Sequence, residues 1–66
     1  MNIGKSLRIA LLKNDMLQAD LAEKLGIHQS GISRLANRKS MSTETIERAA
    51  TAFGMKVSEF VALGED

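Results

Sequence analysis

The stretch QADLAEKLGIHQSGISRLAN, residues 18–37, constrains the fold more than any other part of the sequence. It contains two short segments with helically spaced apolar residues, 18–25 and 29–36, joined by a turn that begins at Gly26. Leu21, Ala22 and Leu25 share one face of the first segment; Ile32 and Leu35 share one face of the second. Gly26 suits the left-handed conformation that ends a helix, because it has no Cβ to clash with the neighbouring carbonyl. Ala22 is small where two helices cross closely. Ile32 and Leu35 anchor the second helix to a core by one side. The expected unit is a tight helix pair whose second member presents a face outward.

The flanking sequence continues the helical pattern. Ile3, Leu7, Ala10 and Leu11 make one apolar stripe, with Asn2 placed as N-cap and Asn14 and Asp15 as residues that tolerate a left-handed stop. After the loop at residues 37–40, Ser42 caps a fourth helix, Glu44 sits near its positive end, and Ile46, Ala49, Ala50 and Phe53 form its stripe before Gly54 closes it. A short fifth helix spans about residues 57–62, with Met55 and Phe60 spaced as a hydrophobic staple. Met16 and Met55 read as core and Met41 as exposed loop. No segment sustains a period of two. The expectation is an all-α, compact five-helix domain spanning residues 1–66, without a sheet or an internal repeat.

Composition narrows the function. The chain has 66 residues, enough for one modest core. It has no Cys and only one His, so neither a disulfide nor a cluster of metal ligands is expected. No apolar run approaches the roughly 18 residues of a membrane span, and the start lacks a signal-like apolar stretch, so the expected location is cytoplasmic. Ser30 and Ser33 lie near His28, but no carboxylate is placed to orient that His as a base. No glycine-rich phosphate cradle is present. The protein is not expected to be an enzyme, to carry a cofactor or to take a small-molecule ligand. The net charge is only +1, yet residues 24–43 hold Lys24, Arg34, Arg38 and Lys39 and no acid.

The outward face of the third helix can be located by arithmetic. At about 100° per residue, with Gln29 at zero, Ser33 falls near 40°, Asn37 near 80°, Ser30 near 100° and Arg34 near 140°. Ala36, Ile32 and Leu35 fall near 340°, 300° and 240° on the other side. The polar side is continuous, and its residue types read base edges: Gln pairs with adenine, Arg with guanine, and Ser reaches either.

At this point the sequence resembles the lambda-repressor-like, or Cro/repressor, helix-turn-helix proteins over nearly its whole length. The resemblance implies five helices with the helix-turn-helix formed by the second and third, and binding of double-stranded operator DNA by a transcriptional regulator of phage or bacterial type, acting as a repressor. It implies that Gln29, Ser30 and Arg34, with Ser33 on the same face, read bases. It also implies that Gln18 contacts phosphate and supports the recognition helix, and that Asn37 and Lys39, with Arg38 between them, hold the DNA backbone. His28 reads as a helix-capping and packing residue, with DNA contact as its alternative role.

The sequence departs from the family pattern in five places. Leu17 and His28 stand where Ser or Thr caps are usual, Gly31 lies inside the recognition helix, and Arg38 replaces a turn Gly. Leu11 and Ala36 replace a buried Arg–Glu pair, a paired change to apolar contact.

Phe60, Val61 and Leu63 exceed what one short helix buries alone: some are expected in the core, and the rest suit a homodimer seam, for which all three are candidates. Ile9 and Leu12 read as scattered surface residues. Two other readings remain open: an autoregulating antitoxin with a partner surface around Ile9 and Leu12, and a helical protein-interaction module that keeps the fold without binding DNA.

Overall fold

The computed structural model describes residues 2–65 and folds them into five helices: α1 (Ile3–Lys13), α2 (Gln18–Leu25), α3 (Gln29–Ala36), α4 (Thr43–Ala52) and α5 (Val57–Ala62). Among the described residues there is no strand. The starts of the helices are chemically marked. The Asn2 side chain accepts from the Lys5 N–H at 3.0 Å, and Ser42 Oγ accepts from the Thr45 N–H at 3.2 Å. Leu17 has no side-chain acceptor, and the gap is partly filled from the other direction: the Asp20 carboxylate accepts from the Leu17 N–H at 3.1 Å. Glu59 does the same for Lys56 at the start of α5. At the ends, Gly26 adopts φ 69° and Asp15 φ 50°, so both turns pass through the left-handed region.

The core follows the stripes. Ile3, Leu7, Ala10 and Leu11 of α1 meet Leu21, Ala22 and Leu25 of α2, Ile32 and Ala36 of α3, and Ala49 and Ala50 of α4 in one buried cluster. Leu35, Ile46, Met16 and Met55 pack half-buried against it. So does Met41, which corrects its expected exposure: the loop before α4 folds its side chain back onto the apolar cluster. Packing joins α2 to α3, α1 to α3 and α5, and α4 to α2 and α5.

A second sequence expectation is corrected by this packing. Phe60 is fully buried, with its ring stacked on Phe53 at a centroid distance of 6.1 Å, so it belongs to the chain's own core and has no surface for a dimer seam. The apolar surplus at the end of the chain is absorbed inward because α5 packs on both α1 and α4. Val61 and Leu63 remain half-buried.

The first turn of α1 is gripped on two sides. The Ile3 N–H donates to the Lys39 carbonyl at 2.9 Å, and Gly4 lies so close to the Arg38 and Ala36 carbonyls that any Cβ there would overlap both. Toward α5, the fully buried Ser6 hydroxyl donates to the Val61 carbonyl at 3.2 Å. That bond answers the polar group's burial. Among the described residues, no buried side-chain nitrogen or oxygen lacks a partner.

Candidate nucleic-acid interface

The third helix turns its two sides to different surroundings. Ile32 is 0 % exposed and Ala36 3 %, whereas Gln29, Ser30, Ser33 and Arg34 are all exposed. The four polar residues are brought together on one side of α3, as their angular spacing requires. The α2–Gly26–α3 unit fixes that side, because Leu21 and Ile32 are both fully buried beneath it and cannot rotate outward without exposing the core.

The residues expected at the DNA backbone lie at the start of α2 and in the turn after α3. Gln18 is half-buried at the first position of α2. Asn37, Arg38 and Lys39 are exposed in the turn after α3, held by the first turn of α1. Part of the hydrogen-bonding capacity of this turn is already used internally. The Asn37 and Arg38 N–H groups donate to the Arg34 and Leu35 carbonyls, and Asn37 Nδ2 donates to the Ser33 carbonyl at 2.9 Å. Among what this turn can still offer an anion are one remaining hydrogen of Asn37 Nδ2 and the charged ends of Arg38 and Lys39.

His28 precedes α3 as its N-cap residue, exposed, and its side chain makes no capping bond; the cap is made by backbone alone, with the Gly31 N–H donating to the His28 carbonyl at 2.9 Å. The expected side-chain capping is thus absent, and His28 is exposed immediately before Gln29. Gly31 answers no backbone demand: a Cβ there would meet only the flexible end of Ile27, at 3.3 Å. Its cost is the helix propensity alone, about 1 kcal/mol relative to Ala.

Sequence reasoning passed over two contributors. Gly4 lets α1 approach the 37–40 turn, and Arg48 of α4 donates to the Leu25 carbonyl at the end of α2 at 2.6 Å. Both act across long separations in the chain, where local spacing carries no signal. Among the described residues, no group of three His, Cys, Asp or Glu is arranged to hold a metal ion, and no helix is long and apolar enough to cross a membrane.

Two short helices set by a left-handed glycine, with the second exposing a polar face beside a basic turn, are the form of a helix-turn-helix. A helix-turn-helix family model matches residues 7–60, and the chain belongs to that family, the lambda-repressor-like group of DNA-binding regulators. A search among curated proteins finds no match.

Proposed function

We propose that this chain, acting as one domain over residues 1–66, is a sequence-specific operator-binding repressor of phage or bacterial type, working in the cytoplasm as a homodimer. The observation that carries the reading is the contrast on α3: four residues of base-reading types exposed together opposite a face on which Ile32 and Ala36 are buried and Leu35 half-buried. In this reading α3 enters the major groove. Gln29, Ser30, Ser33 and Arg34 meet base edges, Gln18, Asn37, Arg38 and Lys39 hold phosphates on either flank, and His28 lies at the margin. Occupying a promoter excludes polymerase without any ligand or catalytic step. A mobility-shift titration on mixed duplex DNA tests the DNA-binding part: retardation in low salt that weakens steeply in high salt is expected, and no retardation in either would contradict it.

Dimerisation follows from the size of the surface. One recognition helix buries little DNA, and single modules bind weakly. With Phe60 buried, the seam is assigned to Val57, which is 40 % exposed, and to half-buried Val61 and Leu63. The operator is then a pseudo-palindrome with half-site centres about 34 Å apart. Sedimentation with and without duplex is expected to give two chains per bound duplex. One chain per duplex at saturating protein would contradict the two-fold arrangement.

A further inference from the structure

We infer that Arg48 is a positioning residue for the recognition helix: from α4 it clamps the C-terminus of α2 and so fixes the turn that leads into α3. Leu25 is the last residue of α2, and the carbonyls in a helix's last turn have no partner within the helix. The Ala22 and Glu23 carbonyls are taken up by the Gly26 and Ile27 N–H groups in the left-handed turn. The Leu25 carbonyl is served from outside, by Arg48 Nη2 at 2.6 Å, across 23 residues of chain. A guanidinium there makes a charge-assisted bond and lies at the negative end of the α2 dipole.

The side chain also fills space. Arg48 lines a small hollow with Leu25, Ile27, Leu35 and Thr45, beneath the turn and beside α3. It also lines an open groove with Lys24, Leu25, Glu47, Thr51 and Ala52 between α2 and α4. Arg48 and Leu25 thus line both hollows, and Arg48 also holds the last carbonyl before Gly26. Beyond that carbonyl, Gly26, Ile27 and His28 are exposed and lead directly to Gln29, the first residue of the reading face. A turn that is loose in the free protein must be ordered on binding, and that ordering lowers affinity.

The proposal rests on the DNA-binding reading above, so its test has one arm that needs no DNA. Amide hydrogen exchange is measured on the wild type, Arg48→Met and Arg48→Lys. Met keeps the apolar stem and removes the donor; Lys keeps a donor and the charge. In Arg48→Met the Gly26 and Ile27 amides are expected to exchange about tenfold faster, while the Leu7 amide in the α1 core stays unchanged. Arg48→Lys is expected to restore most of the protection.

In the second arm, affinity is measured for a duplex that the wild type selects from a random library. Arg48→Met is expected to bind it about tenfold more weakly and Arg48→Lys to fall within about threefold of wild type. Unchanged exchange at Gly26 and Ile27, or equal acceleration at Leu7, overturns the clamp. A loosened turn with wild-type affinity overturns its role in recognition. If the wild type selects no sequence, the DNA-binding reading fails and takes the recognition role with it, while the exchange arm still decides the clamp.

Discussion

Leu11→Arg is expected to remove about 3–5 kcal/mol of stability, as an unpaired charge does in a core. A chain of this length has on the order of 3–10 kcal/mol in total, so urea melts should show the variant largely unfolded or nearly so. Leu11 is 7 % exposed and Ala36 3 %, and both belong to the cluster in which α1 packs on α3. They take the two places that the family resemblance assigns to an ion pair. Adding Ala36→Glu to Leu11→Arg should therefore recover at least half of the loss, because the guanidinium then has a carboxylate beside it. Equal destabilisation of the single and double variants would mean that the two sites do not meet. The apolar pair also has a physical advantage: it avoids desolvating two charges, a penalty that a buried ion pair does not always recover.

Gly4→Ala is the second large effect. Its Cβ would overlap the Arg38 and Ala36 carbonyls, which are backbone and cannot swing aside as a side chain could. Either α1 or the turn after α3 has to move, at about 1–3 kcal/mol in the manner of an overpacked core. The Ile3–Lys39 bond, adjacent to the overlap, would lengthen or break. Because that turn carries Arg38 and Lys39, DNA affinity should fall further than the stability loss alone explains, measured where the variant is still folded. A melt and an affinity indistinguishable from wild type would show that this contact is slack.

What was legible in the sequence and what was not divide by distance along the chain. The Asn2 and Ser42 caps act within three residues, and the left-handed stops at Asp15 and Gly26 are single-residue properties, so ends of α1, α2 and α4 could be placed from local chemistry. The exposed polar face of α3 was equally accessible, because Ile32 and Ala36 mark the buried side by spacing alone. Phe60 was not. Its spacing says apolar, but only the fold shows that Phe53 receives it and that it faces inward rather than toward a second chain. Nothing near Ser6 in the sequence signals its burial, which its bond to Val61, 55 positions away, accommodates. Gly4 and Arg48 belong to the same class: each matters for a partner that the fold brings from a distant segment.

In the proposed function, α3 reads bases while the turn after it holds the backbone. Selection of binding sites from a randomised duplex library, run with the wild type, Arg34→Ala and Lys39→Ala, tests it most directly. Arg34→Ala is expected to lose about 1–3 kcal/mol on the wild-type site and to relax preference at one base pair. Lys39→Ala is expected to keep the full sequence preference, bind about evenly more weakly, and flatten the salt slope by roughly one unit. If Arg34→Ala retains the wild-type preference and loses only affinity, Arg34 contacts phosphate, and the assignment of the reading face on α3 is wrong.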